Sequence, residues 1–310
     1  MLIYIYVIIF LGVFMKIAVV GGGSIGLLIS SMLVQLGYED IVLYTRTIQQ
    51  RDEIIENGVN YKLNDKSLNY KIKCKVIDDW IDADICFLAV KYYHLENLLT
   101  NDKLSKVNTL VMLQNGYNHI NLVKELSVEN IVIGIVEHGA LRTGMTNVEH
   151  TGIGMIKLGV LKGKASRMED LIGNSTSSVF KFSFSNNWME LILDKLLVNI
   201  VINPLTSIFR VNNGCLLSNP YFKQLSYWIF LEATHVLEIE NLEEKWDYVE
   251  SIIYKTSSNK SSMLKDVLNN QLTEIDSIVG PVIEIAKKKD IEIPYLNFIY
   301  NSIKGIEQRE

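Results

Sequence analysis

The sequence predicts an α/β domain on a largely parallel sheet, followed by an all-helical domain. Three observations carry this. Short, continuous apolar runs alternate with helical stretches through the first half. A glycine-rich turn sits between the first run and the first helical stretch. From about Asn187 the texture changes to long helical periods. A chain of 310 residues fits two domains of roughly 150 each.

The elements follow in order. Met1 to Met15 carry no charge before Lys16. The run is shorter than the roughly 20 residues of a spanning helix, and it lacks the basic start and small-residue cleavage site of a secretory signal. Met15 is the expected start, with 1–14 an upstream hydrophobic extension; the alternative is a membrane tether. Nothing later in the chain reads as a spanning segment. Ile17–Val20 is a strand, Leu27–Leu36 a helix, and Gly37 its stop. Ile41–Tyr44, Ile85–Val90, Thr109–Leu113 and Ile131–Val136 are further buried strands. Glu149–Val160, with Gly152, Gly154 and Gly159, reads as an irregular strand pair closing the domain. The first domain thus spans 15–186 and the second 187–310.

The glycines at 21, 23 and 26 form G-x-G-x-x-G, with a strand before and a helix after. Gly21 permits a tight turn, Gly23 lets backbone approach a diphosphate, and Gly26 lets helix pack on strand. The helix start at Ser24 and Ile25 offers free N–H groups and a positive dipole end. A Rossmann-type dinucleotide site follows. An NAD site expects an acid about 20 residues on. Arg46 stands there instead, which favours NADPH over NADH through the 2′-phosphate; a solvated surface arginine is the plainer reading.

In the second half, Leu191–Thr206 is apolar nearly all round, so its helix should be buried. Lys195, Asn199 and Asn203 recur every four residues and share one face. Buried polar groups need partners or a wet cavity, so they form either a satisfied core network or a ligand-facing cleft. Pro204 should kink or end this helix, and Asn212-Asn213-Gly214 is a turn. Ser261-Ser262 read as helix caps and Glu274 as a solvated face, unless they belong to a site. Gly280-Pro281 precedes the last helical stretch, and Lys287–Lys289 read as surface.

Composition excludes several classes. The chain is 48% hydrophobic with net charge −5, which argues against nucleic acid as a main partner. Three cysteines, with no C-x-x-C, suit neither a disulfide framework nor a zinc site and point to a reducing cytoplasm. The five histidines show no ligand spacing, so no metal is expected.

From Met15 onward the chain resembles the ketopantoate reductase family. The matching pieces are KIAVVGGGSIG, DICFLAVKYY, LQNG, HTGIGMIKLG, KLLVNIVINPLTSIFRVNNG, SSMLKDV and TEIDSIVG. The resemblance implies a Rossmann domain, a helical domain like the carboxy-terminal domain of 6-phosphogluconate dehydrogenase, and an active site in the cleft. It implies NADPH-dependent reduction of 2-dehydropantoate to (R)-pantoate. By motif, Lys195 resembles the family's catalytic acid and Glu274 its active-site carboxylate. Asn199, Asn203, Ser262 and Asn213 resemble substrate-binding groups. Asn115 matches the residue beside nicotinamide and substrate, and Lys91 the lysine near the cofactor. Three positions depart from the family pattern. Asn212 stands where a proline is frequent, Leu193 where a tryptophan is, and His94 where a glutamine is. The alternatives are a reductase of another 2-oxo acid and a non-catalytic NADPH sensor. The expected partner is a small 2-oxo acid, with a monomer or homodimer as the assembly and no membrane attachment.

Overall fold

The computed structural model describes residues 15–77, 80–99, 103–117, 119–173 and 179–308. The extension 1–14 lies outside the described residues. The chain forms two compact units. One takes in the described residues up to Gln114 together with Lys124–Asn186; the other comprises Asn115–Val123 and the chain from Asn187 onward.

The first unit opens with β1 (Ile17–Val20), α1 (Ser24–Gln35), β2 (Ile41–Thr45) and α2 (Ile48–Asn57). β3 (Val59–Leu63), β4 (Lys66–Tyr70), β5 (Lys73–Val76) and β6 (Asp82–Leu88) follow. After a 3₁₀ turn at Tyr92–His94 come α3 (Leu95–Leu99), β7 (Lys106–Met112) and β8 (Asn130–Val136), while α4 (His119–Lys124), between β7 and β8 in sequence, falls in the other unit up to Val123. β9 (Gly139–Arg142), β10 (Asn147–Gly152), β11 (Met155–Lys162), α5 (Ser166–Gly173) and β12 (Lys181–Ser185) complete it. Eight strands make the main sheet in the order β12-β11-β8-β7-β6-β1-β2-β5. From β8 to β5 all neighbours are parallel, and β11 meets β8 antiparallel. β1 and β8 are buried along their whole length, which is why they are apolar apart from Asn130 at the start of β8. Strand order reverses between β1 and β6, so the carboxyl end of β1 opens onto the crevice where such sheets bind ligands.

Glu149–Val160 does not form a strand pair: β10 joins a separate four-stranded sheet (β4-β3-β10-β9), while β11 joins the main sheet. Gly152 and Gly154 belong to the crossing from one sheet to the other. The strands missing from the sequence reading, β3, β4, β5, β9 and β12, are mostly half-exposed and polar, so no continuous apolar run marked them.

The small sheet is fastened by a buried relay. The Gly154 N–H donates to His138 Nδ1 at 3.2 Å, so that nitrogen bears no proton. His150 Nε2 therefore donates to it at 3.0 Å, and the Tyr61 hydroxyl donates to His150 Nδ1 at 2.7 Å. Phe180 stacks on the His150 ring, with centroids 5.7 Å apart. Burial, and then the neighbouring His150, push the His138 pKa down to about 4.

The second unit is helical: α6 (Trp188–Phe209), α7 (Cys215–Ser218), α8 (Pro220–Val236), α9 (Leu242–Lys255), α10 (Ser262–Leu268), α11 (Ile275–Ile278), α12 (Gly280–Lys289) and α13 (Pro294–Glu307). Asn187 caps α6, accepting from the Glu190 N–H at 3.2 Å. Leu196, Leu197, Ile200 and Val201 of α6 pack with Ile229 and Phe230 of α8, Val249 and Ile253 of α9, and Ile299 and Ile303 of α13. Each such buried side chain contributes roughly 1.5–3 kcal/mol. At 22 residues, α6 is long and apolar enough to cross a membrane, contrary to the expectation that nothing after the extension would be. It is largely buried inside this unit, as a core helix is.

Of the two outcomes expected at Pro204, a kink or an end, the end does not occur: α6 runs on to Phe209. Two hydroxyls also bond back to carbonyls of the turn around the proline. The Thr206 hydroxyl donates to Ile202 O at 2.7 Å, and the Ser207 hydroxyl to Asn203 O at 2.7 Å. The helix ends at Arg210, in the left-handed region at φ 55°.

Asn115–Val123 packs with the helical unit, although the sequence reading assigns it to the first domain. The reason is local. Gly116, at φ +87°, lies against the Ser277 carbonyl so closely that a Cβ has no room, and the Tyr117 N–H donates to the same carbonyl at 3.4 Å.

Candidate active site

In the first unit, the Gly21 N–H donates to Tyr44 O at 2.8 Å, tying the turn to β2. Gly21 has φ +119°, and a Cβ there would stand 2.9 Å from the Ala89 carbonyl beyond β6. A Cβ on Gly26 would collide with the Gly21 carbonyl. Gly23 is the N-cap of α1, has nothing within 4 Å of a Cβ position, and receives no side-chain cap. The first-turn N–H groups at Ser24, Ile25 and Gly26 thus begin a 12-residue helix whose N-cap, Gly23, borders open space. These residues fit a dinucleotide diphosphate: free donors, a positive helix end and no side chain in the way.

Arg46 is exposed at the end of β2, and its Nη1 donates to His94 Nε2 at 3.0 Å. Burial and then the Arg46 charge hold the His94 pKa below its ordinary value, which suits a neutral acceptor. His94, one of the positions that depart from the family pattern, therefore orients Arg46. Thr47 caps α2 by accepting from the Gln50 N–H at 3.3 Å. The Gln50 amide bridges Gly22 O (2.7 Å) and Met145 O (2.9 Å), and Arg142 Nη1 also donates to Gly22 O at 3.2 Å. Lys91 is half-buried just past β6. Beside it, the Gln114 amide donates to Leu88 O and Val90 O at 2.9 and 3.1 Å.

In the second unit, Asn115 Nδ2 donates to Glu274 Oε2 at 3.0 Å across 159 residues of sequence. Glu274 is half-buried at the start of α11, so it is not the solvated face that periodicity alone allowed. Lys195 and Asn199 are half-buried on α6 and Asn203 is buried, so the expected burial of this helix is incomplete on its Lys-Asn-Asn face. The apolar run is interrupted there by a face that keeps access to solvent. The Thr206 and Ser261 hydroxyls are hydrogen-bonded at 2.8 Å, which brings the start of α10 to the Asn203 turn of α6. Ser261 is the cap, accepting from the Leu264 N–H at 3.0 Å, and Ser262 is exposed beside it. Asn213 spends its amide on Thr256 Oγ1 at 2.9 Å and its N–H on Asn259 O at 3.0 Å.

Sequence reasoning missed three residues. Gln50 and Arg142 reach the glycine turn from distant elements, and no local pattern announces that. His119 is 1% exposed, and neither ring nitrogen has a partner among the described residues. Burial, then the charge of Lys195, push its pKa down to about 4. The Tyr-x-His spacing after Asn-Gly was visible but carried no chemistry without α6.

A mostly parallel sheet with a glycine turn at its first crossover, then a helical unit with a Lys-Asn-Asn face, defines a two-domain, dinucleotide-dependent oxidoreductase. Residues 17–163 match the family model described as ketopantoate reductase PanE/ApbA, and 187–307 match its C-terminal model. The chain is 35% identical over 299 residues to the 2-dehydropantoate 2-reductase of Bacillus subtilis (strain 168), covering 95% of this chain and 98% of that one. It is 34% identical to the corresponding Listeria monocytogenes protein, covering 94% and 97%. It therefore belongs to the ketopantoate reductase family. Among solved structures, a probable 2-dehydropantoate 2-reductase from Bacillus subtilis superposes with TM-score 0.85 at 33% identity, covering 94% and 100%. D-mandelate dehydrogenase with NADH and anilino(oxo)acetate does so with TM-score 0.85 at 27% identity, covering 94% and 98%.

Proposed function

We propose that this protein reduces 2-dehydropantoate to (R)-pantoate with NADPH, by hydride transfer with Lys195 as proton donor. The observation that carries the reading is the Asn115–Glu274 hydrogen bond at 3.0 Å. It joins two motifs far apart in sequence within the unit that holds Lys195.

Hydride would come from a bound nicotinamide. The glycine turn at Gly21, Gly23 and Gly26, with the N–H groups of Ser24 and Ile25, would hold the diphosphate; Arg46 would take the 2′-phosphate, and Lys91 and Asn115 would border the cofactor. As the substrate ketone becomes an alkoxide, negative charge grows on its oxygen. The Lys195 ammonium stabilises that charge and delivers the proton. Glu274 fixes Asn115 and balances the lysine's charge. Asn199, Asn203 and Ser262 donate to the substrate carboxylate and hydroxyl. Asn213 supports this wall through Thr256 rather than by touching substrate. Such an enzyme works on a small metabolite in the cytoplasm.

D-mandelate dehydrogenase, at 27% identity, favours one second reading: reduction of a bulkier 2-oxo acid. The test is NADPH and NADH oxidation with 2-dehydropantoate beside a panel of 2-oxo acids that includes benzoylformate. The highest kcat/KM for 2-dehydropantoate with NADPH is the expected result. A clear preference for another acid, or no turnover of any, overturns the proposal.

A further inference from the structure

We infer that Arg142 is a second cation for the cofactor's 2′-phosphate, carried to the glycine turn by the small sheet. This rests on the NADPH reading above and adds a residue to it.

Arg142 closes β9, opposite Val148 of β10. The turn beyond it is pinned at both ends: the Thr143 N–H donates to Asn147 O at 3.1 Å, and Met145 O accepts from Gln50 at 2.9 Å. The arginine is exposed, and its Nη1 donates to the Gly22 carbonyl at 3.2 Å. Arg51 and Arg167 have carboxylate partners, at 2.7 and 3.7 Å, but among the described residues neither Arg142 nor Arg46 has one. One N–H of five goes to a backbone oxygen, which fixes the fork and leaves its charge uncompensated.

The choice of phosphate follows from what shares that carbonyl. Gly22 O also accepts from Gln50 at 2.7 Å. Gln50 lies in the first turn of α2, four residues after Arg46. Arg142 is therefore anchored on the α2 side of the turn, where the second strand of a dinucleotide fold ends and the adenosine ribose is read. The diphosphate already has the α1 N–H groups. Two arginines without carboxylates, Arg46 at the end of β2 and Arg142 held at the Gly22 carbonyl that Gln50 of α2 shares, suit a dianionic phosphomonoester.

The test is direct binding. The Kd values of NADPH, NADH, adenosine 2′,5′-bisphosphate and AMP are measured for the wild type, Arg142→Gln, Arg142→Lys and Arg46→Gln. Expected for Arg142→Gln is a loss of about tenfold or more for NADPH and the bisphosphate, with NADH and AMP unchanged. Arg142→Lys should fall between, since it keeps charge but not the fork. Thermal melting checks the fold. If Arg142→Gln melts early, the Arg142→Lys loss, confined to the two 2′-phosphorylated ligands, decides the question. Equal losses for all dinucleotides would move Arg142 to the diphosphate, and no loss would make it a strut for Gly22; either overturns the inference. A wild type that binds NADH as tightly as NADPH overturns the cofactor reading itself. Loss in Arg46→Gln alone overturns only the role of Arg142.

Discussion

Replacing Gly116 with alanine tests how the Asn115 segment is held. The residue sits at φ +87°, where an L side chain costs roughly 1–2 kcal/mol. The new Cβ would fall onto the Ser277 carbonyl, so α11 or the Asn115 segment must move; overpacking of that kind costs about 1–3 kcal/mol. The Tyr117 N–H bond to the same carbonyl, at 3.4 Å, is then lost, at about 0.5 kcal/mol. Together the helical unit should lose roughly 2–5 kcal/mol. Asn115 is the next residue, so it should leave Glu274, and kcat should drop by about tenfold or more. Because Asn115 is also proposed to border the cofactor, the NADPH Kd should rise, but by less than kcat falls, since the glycine turn and Arg46 belong to the other unit. Urea unfolding, steady-state kinetics and a cofactor titration give the three readouts. Wild-type stability together with wild-type turnover in Gly116→Ala would refute the reasoning.

Two further outcomes follow from the first unit. Because His138 is depressed to about 4, the unfolded chain binds more protons than the fold between that value and the usual imidazole range near 6.5. Its contribution, on the order of 2 kcal/mol after allowing for screening, is in force above about pH 6.5 and lost as pH falls toward 4. His138→Asn keeps an acceptor for the Gly154 N–H but not the titration, so its denaturant midpoint should fall less between pH 7.5 and 5; parallel profiles would contradict this. Arg46→Asp should weaken NADPH about tenfold to a hundredfold while leaving NADH nearly unchanged, read by fluorescence titration. A variant that still prefers NADPH as strongly as the wild type would remove Arg46 from cofactor choice.

The parts legible in sequence are those whose physics is local. Ile17–Val20, the glycine turn and α1 announce themselves because a doubly buried strand must be apolar and a close backbone approach must be glycine. The four-residue spacing of Lys195, Asn199 and Asn203 was equally plain. The small sheet was not legible, since strands such as Lys66–Tyr70 are exposed and polar. That α6 runs on past Pro204 was not legible, because proline's local preference argues against a helix interior and only the packing of α6 in the core of the helical unit outweighs it. Arg142 and Gln50 meet at Gly22 only once β9 and α2 are folded against the turn.

The account's central claim is that Lys195 protonates the alkoxide formed from 2-dehydropantoate. The measurement is kcat for Lys195→Ala beside its NADPH Kd, with circular dichroism to confirm the fold. The account predicts a loss of roughly a hundredfold or more in kcat at near-constant Kd. A well-folded Lys195→Ala protein that turns over 2-dehydropantoate at close to the wild-type rate would contradict it.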